Sequence, residues 1–241
     1  MRIKIVLLTL LLSVQSIFAR EYVNDTVRFE PKQLIAPGVL ITVGSLGVGV
    51  KPFVKARKWI NGEIGIHSCK PVDDILQYAP LAGYVCLDYI GVPSRRSLTD
   101  RAVVGVTAVI IYAAVTNTVK YTVREPRPTG SKRNSFPSGH TGTAFLGAEL
   151  LRQEYGPWAG LAGYAVATGV GVMRILNGSH WLNDVLAGAG IGILSAQAGE
   201  WLLPFNRRWL GLDKRRGEQL VVCPSYMPQT RTAALTAAMV F

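Results

Sequence analysis

Charge is scarce in this 241-residue chain: Asp, Glu, Lys and Arg together make up 17% of it, against about a quarter in soluble domains. Apolar residues reach 49%, and mean hydropathy is +0.26. Such a composition excludes an intrinsically disordered chain and leaves too little charge to cover a water-soluble globule. Acids are the scarcer sign, 15 Asp and Glu against 26 Lys and Arg, for a formal charge of +11. A greasy and basic chain suits a membrane protein that faces anionic headgroups or handles an anionic substrate. There is no basic helix and no basic stripe interleaved with aromatics, so nucleic acid is not an expected partner. Cysteine is nearly missing: Cys69, Cys86 and Cys223 form no CxxC pair, which excludes a disulfide framework and a cysteine-rich zinc site. No HExxH or EF-hand loop occurs either, so neither a metal nor another cofactor is expected.

What the chain has instead is long apolar runs. Residues 1–19 read as a signal peptide or N-terminal anchor, with Arg2 and Lys4 ahead of an apolar stretch and Ala19 at a possible cut. A polar segment, 20–33, follows. Six helices are then expected, over 34–50, 75–92, 102–119, 139–152, 157–173 and 184–203. Several approach the ~20 residues that a bilayer core of ~30 Å requires, and 139–152 reads as amphipathic. Gly163, Ala167 and Gly171 fall four residues apart, as do Gly188, Gly192 and Ala196; each set lies on one helix face, where backbones can approach closely. The expected fold is all-α, a membrane-embedded bundle of about six helices with its site at one membrane face. Residues 51–74 read as a polar connector and 204–241 as a basic tail, with mild strand character at 219–223 and 233–241.

The chemistry concentrates around histidine, of which there are three. His67 sits in the polar connector and reads as solvated, and Asp73 or Asp74 as a cap for the helix that follows. His140 and His180 lie in dense polar clusters bordering apolar helices. Lys120 and Arg127 follow the third long run, Pro137-Ser138-Gly139-His140 opens the next helix, and Arg174 and His180-x3-Asp184 lie between the last two. Taken singly, each has a bland reading as a topology signal, a helix cap or a structural pair. Together, Lys120, Arg127 and Arg174 are three cations with few acids beside them, a cradle for phosphate oxygens. Ser138 and Gly139 would add backbone N–H groups at a helix start. Asp184, four residues after His180, could hold one ring nitrogen and leave the other as a nucleophile. The sum is a metal-independent phosphoryl-transfer site: His180 attacks in line to give a phosphohistidine, and His140 protonates the leaving oxygen and then activates water.

The spacing Lys120-x6-Arg127-Pro128, Pro137-Ser138-Gly139-His140 and Arg174-x5-His180-x3-Asp184 resembles the three-part signature of the type 2 phosphatidic acid phosphatase superfamily. That superfamily includes lipid phosphate phosphatases, bacterial class A acid phosphatases and vanadium haloperoxidases. Met173 departs from the pattern, which often has Ser there, without touching a charged or proton-transfer role. The resemblance implies a helical core over about 34–203, the same roles for the two histidines, and a site on the periplasmic face of the bacterial inner membrane. Asp73-Asp74-Ile-Leu-Gln-Tyr-Ala-Pro80, with the signal, is more loosely similar to Gram-negative envelope members that remove phosphate from lipid A. The expected substrate is thus a phosphorylated membrane lipid: lipid A first, then undecaprenyl pyrophosphate, then phosphatidate or phosphatidylglycerol phosphate. The rival readings are a vanadium-dependent haloperoxidase, a soluble periplasmic acid phosphatase and a non-catalytic lipid-binding protein; oligomeric state is not legible.

One conflict is internal to the sequence. A signal would export residue 20, and three crossings by 34–50, 75–92 and 102–119 would then leave Lys120 in the cytoplasm. The preferred resolution is that 34–50, short and glycine-rich with Pro37, fails to span or is re-entrant.

Overall fold

The computed structural model describes residues 29–64, 72–130, 132–212, 219–227 and 232–240. The readings of residues 1–19 and of His67 and Cys69 lie outside them. Nine helices are present among the described residues: α1 Ile35–Gly49, α2 Lys51–Ile64, α3 Val72–Leu76, α4 Ala79–Cys86, α5 Leu98–Val123, α6 Gly139–Tyr155, α7 Pro157–Leu176, α8 Leu182–Trp201 and α9 Leu203–Trp209. Short 3-10 turns, Pro31–Leu34 and Leu87–Ile90, lead into α1 and extend α4. The six expected helices correspond to α1, α4, α5, α6, α7 and α8. A C-terminal hairpin pairs β1 Gln219–Met227 with β2 Thr232–Val240, antiparallel, from Gln219 opposite Val240 to Met227 opposite Thr232. Its first strand runs past the expected end at 223, through Pro224.

Local chemistry sets the ends of these helices. Ser97 caps α5, its hydroxyl accepting from the Asp100 N–H at 3.2 Å. Gly156, at φ 89°, turns the chain between α6 and α7, and Pro157 starts α7 at the position where its missing N–H costs nothing. Gly130, at φ 71°, closes a turn whose N–H bonds the Arg127 carbonyl at 2.9 Å.

The bundle is organised around α6 and α8. Helix α6 is not amphipathic as expected but buried on nearly every side, because α4, α7 and α8 all pack on it. Leu146 and Leu150 join Val104 and Ala108 of α5 and Ile191 and Ala196 of α8 in one core; Ala144 and Ala148 meet Ala167 and Val170 of α7 in another. The small-residue stripes permit this spacing. Backbone of Gly142 lies against Gly192, Ser138 against Gly188, and Ala148 against Gly163, closely enough that an added Cβ would collide. In lipid, where apolar burial gives little net drive, such close packing is what holds helices together.

Helix α1 taken with the turn before it (Pro31–Gly49), α5 and α7 are long and apolar enough to cross a membrane. Their outer faces are bare hydrocarbon: Ile35, Val39, Val106, Ile110 and Leu161 are all exposed. Trp59, Tyr78 and Tyr121 stand exposed near one end of the bundle, and Tyr89, Trp158 and Trp209 near the other, the arrangement of two interfacial aromatic belts.

Helix α1 counts against the expectation that 34–50 fails to span or is re-entrant, since with its leading turn it is long and apolar enough to cross. It lies along the whole of α8: Gly44 packs on Ala187 and Asn183, Gly190 on Pro37 and Ile41, and Gln33 accepts a hydrogen bond from Trp201 at 2.9 Å. Gly44 and Gly47 serve this contact rather than breaking the helix. Residue 29 therefore sits at the end of the bundle opposite Lys120, beside a second charged cluster. There Arg96 pairs with Glu154 (3.2 Å) and Glu200, Arg101 with Asp88 (3.4 Å), and Arg207 with Asp100 (2.8 Å).

The connector is also more ordered than expected. Residues 51–64 form α2, whose inner face carries Val54, Arg57 and Asn61. It ends near the same end of the bundle as Lys120. This topology yields a direct expectation. In protein whose native cysteines are replaced by serine, single cysteines at 133 and 95 should react with an impermeant maleimide from opposite sides of sealed vesicles. Labelling of both from one side would contradict the bundle.

Candidate active site

Each candidate side chain is delivered by the end of a helix or by the loop joining two of them. Lys120 lies in the last turn of α5, and its ammonium donates to the carbonyls of Pro137 (2.7 Å) and Asn134 (3.0 Å). That fastens the loop between α5 and α6 over the helix that precedes it. Within the loop, Ser135 N–H bonds the Glu125 carbonyl at 2.9 Å, and Arg127 Nε donates to the Asn134 side chain at 3.1 Å. Trp181 donates from its indole to the Pro126 carbonyl at 2.9 Å, tying the loop to the start of α8.

Asp184 joins the second and third motifs. Its carbonyl accepts the Ser138 N–H at 2.9 Å, and its carboxylate accepts the Trp181 N–H at 2.9 Å and caps α8. The same carboxylate accepts from the Ser135 hydroxyl and lies 3.7 Å from His180 Nδ1, with Ser135 Oγ 3.5 Å from that nitrogen. The Asp184 contact is thus an ion-pair distance supplemented by Ser135, longer than the direct hydrogen bond expected from the spacing. Nor is the pair one helical turn apart, because His180 precedes α8 and is held by its N–H to the Arg174 carbonyl at 3.3 Å.

His180 is 2% exposed. Burial pushes its pKa down to about 4, and the charges of Lys120 and Arg127 add to this against the opposing pull of Asp184. The ring is therefore neutral at ordinary pH, with Nδ1 turned to the carboxylate. His140, at the second position of α6, is also lowered, first by burial and then by Arg174, while Asp74 and Asp73 oppose the shift. Burial also lowers Arg127, with Arg174 acting in the same sense. These mutual effects place Lys120, Arg127, Arg174, His140, His180 and Asp184 in one electrostatic neighbourhood.

Ser138 and Gly139 differ in what they offer. The Ser138 N–H is committed to Asp184, and its hydroxyl pairs with Thr141 at 2.9 Å. The N–H groups left without an intrahelical acceptor begin with Gly139, where the lack of a side chain keeps the approach open beside the Lys120 stem.

The structure also corrects the expectation that few acids accompany the cations. Asp73 is not a helix cap. It is 1% exposed and accepts from Arg174 at 2.6 Å, with the Asn177 amide at 3.4 Å. Asp74 meets Arg174 at 3.4 Å and His140 Nε2 at 2.8 Å. The stretch Asp73–Pro80 noted in the sequence carried this signal. Arg57 was missed altogether. It pairs with Glu125 of the loop, donates to Asn183 at 3.3 Å and stacks 4.9 Å from the Trp181 ring centre. It ties α2 to both segments that carry the site. Among the described residues no cluster of His, Cys, Asp and Glu could hold a metal ion.

An integral-membrane helical bundle with a three-part cationic and imidazole cradle at one end defines the class, and comparison with known proteins specifies it. Residues 102–208 match the model of the PAP2 superfamily. Over 135 residues, 54% of its length, it is 38% identical to a protein named lipid A 1-phosphatase from Porphyromonas gingivalis. Over 91 residues, 36% of its length, it is 35% identical to the bacitracin transport permease protein BcrC of Bacillus licheniformis. These matches span 30% and 44% of the two relatives, less than half of either. Two solved structures are similar. LpxE of Aquifex aeolicus has TM-score 0.46 and 21% identity, over 61% of this chain and 93% of that one. A PAP2-type phosphatidylglycerolphosphate phosphatase of Bacillus subtilis has TM-score 0.45 and 16% identity, over 76% and 97%.

Arg57 gives the prediction here. Both members of its pair with Glu125 are more than nine-tenths buried, so Arg57→Ala strands a carboxylate away from water. Unfolding in detergent should show a loss of about 3–5 kcal/mol, and the 124–138 loop should become more susceptible to protease. An unchanged unfolding midpoint would contradict the clasp.

Proposed function

We propose that the chain is a metal-independent membrane lipid phosphatase that hydrolyses a phosphomonoester or pyrophosphate on a lipid headgroup through a phosphohistidine intermediate. One observation carries this reading: His180, neutral and with Nδ1 facing Asp184 and Ser135, shares its neighbourhood with Lys120, Arg127 and Arg174. Such a ring has one free nitrogen, Nε2, and cations beside it to hold phosphate oxygens.

In the proposed reaction, the three cations and the Gly139 end of α6 bind the equatorial oxygens and stabilise the charge that develops there. His180 Nε2 attacks phosphorus as the bond to the leaving oxygen breaks, and His140 gives that oxygen a proton. The phosphoryl group rests on His180 while the dephosphorylated lipid departs. His140 then takes a proton from water, whose oxygen attacks phosphorus, and the P–N bond breaks to release phosphate and neutral His180. Asp184 and Ser135 hold the ring and offset its positive charge while the intermediate exists.

Lipid A is the first substrate, supported by the name of the Porphyromonas relative and by the likeness over half of this chain. Undecaprenyl pyrophosphate follows, then phosphatidate or phosphatidylglycerol phosphate. We place the protein in the inner membrane with its Lys120 end in the periplasm, which puts residue 29 on the cytoplasmic side.

Two measurements test the reading. His180→Ala should abolish phosphate release from these lipids and lose the acid-labile phosphoryl label that brief exposure to labelled substrate gives the wild type. Undiminished turnover by the variant ends the mechanism. The pH dependence carries a sign as well. His180 is competent while neutral, above about pH 4, and His140 while protonated, below a pKa lowered from 6.5. The kcat/KM profile, which reports the free protein, should peak between these limits and fall towards neutrality. A profile that rises from pH 6 to 8 would be the opposite sign.

A further inference from the structure

The phosphatase reading assigns roles to three cations, two imidazoles and one carboxylate, and leaves Asp74 unused. Asp74 lies on α3, a five-residue helix outside the three-part signature, yet it reaches His140. Its Oδ1 is 2.8 Å from His140 Nε2 and 3.4 Å from Arg174 NH1. A carboxylate can only accept, so Nε2 must carry the hydrogen. No hydrogen bond to His140 Nδ1 is present among the described residues, and that nitrogen is the one left for proton transfer.

The mount behind Asp74 is firm. Its neighbour Asp73 is buried against Arg174 and Asn177, and the Gln77 amide donates to the Asp74 carbonyl at 2.8 Å. Helix α3 therefore cannot turn without breaking a buried ion pair. Asp74 itself is half exposed, 54% at the side chain, so solvent screens its attraction and orientation is its main contribution. The arrangement repeats the one at His180, where a carboxylate faces Nδ1 and leaves Nε2 free. Each histidine of the site thus has one nitrogen towards a carboxylate, and the two use opposite nitrogens.

On that reading of the site, we propose that Asp74 is a positioning residue for His140: by accepting from Nε2 it fixes the tautomer and ring orientation in which Nδ1 passes protons to the leaving oxygen and from water. The charged and titratable groups that face the ring are Asp74 and Asp73 from α3 and Arg174 from α7, with the Lys120 stem passing beside Gly139 from α5. Loss of one carboxylate leaves Arg174 less opposed, so the imidazolium becomes easier to deprotonate.

The test compares wild type, Asp74→Asn, Asp74→Glu, His140→Ala and the Asp74→Asn/His140→Ala double variant on phosphatidate and lipid A in detergent, each checked for its unfolding midpoint. Asp74→Asn should lose kcat by about tenfold or more, and the alkaline limb of its pH profile should move to lower pH. Asp74→Glu should recover part of both, and in the His140→Ala background Asp74→Asn should have no further effect. An unshifted alkaline limb, or a lower KM with unchanged kcat, would overturn the proposal; the latter would mean that Asp74 occupies the place of a substrate oxygen. A wild type that releases no more phosphate than His180→Ala would instead refute the phosphatase reading on which it rests.

Discussion

Asp184 is the point on which the candidate site turns. It is fully buried, and it uses both ends of its polar inventory at once. Its carbonyl fixes the start of α6 through Ser138, and its carboxylate caps α8, takes the Ser135 hydroxyl and faces His180. Two segments far apart in sequence, 135–138 and 180–184, meet at this one residue. The requirement that a buried carboxylate find donors and the requirement that the imidazole we propose as nucleophile be oriented are thereby met by the same contacts. Removing its carboxylate would leave α8 uncapped and take the shared acceptor from both the Ser135 hydroxyl and the ring.

That junction can form only because α6 and α8 approach closely. Gly188 gives way to Ser138 and Gly192 to Gly142, so the stripe of small residues that reads as membrane packing also sets the height at which the second and third motifs meet. Packing and chemistry are here the same geometric condition. Helix α1 adds to it from the other side, its Gly47 seated on Asn183, next to Asp184.

Much of this was legible in the sequence. Apolar runs, small residues four apart and the spacing of the polar clusters identify the helices, their contact faces and the eight residues of the candidate site. What was hidden shares a physical cause. Periodicity counts apolar residues, so α2, whose inward anchor is the charged Arg57, reads as a connector; the same rule makes 139–152 amphipathic, since the charged Glu149 counts as solvent-facing. In the structure Glu149 bonds Arg152 at 2.7 Å, and Glu154 pairs with Arg96. Pairs such as Arg57 with Glu125 and Arg96 with Glu154 join partners far apart in sequence, about which no local pattern is informative. Asp73 and Asp74 belong with them: two acids at a helix start have a sufficient local explanation as caps, and only the fold brings Arg174 and His140 to them.

These acids change what the basic excess means. Lys120, Arg127 and Arg174 suggested that the positive balance marks an anionic substrate, but Asp73, Asp74 and Asp184 match them one for one. The cradle is close to charge balance before any phosphate arrives, with His180 neutral. Much of the remaining excess lies on exposed Lys51, Lys55 and Lys58 of α2 and on loops at the same end of the bundle, where it can draw anionic headgroups over a Debye length of about 8 Å. Attraction and recognition are therefore separate. A phosphate entering the cradle must share Arg174 with Asp73, so its ground state gains less than three free cations would give. In the proposed reaction, the charge that builds on the equatorial oxygens during transfer meets the same fixed donors, already oriented by those carboxylates. Holding the cations in advance weakens binding of the substrate more than it weakens stabilisation of the transition state, which is the direction that favours turnover.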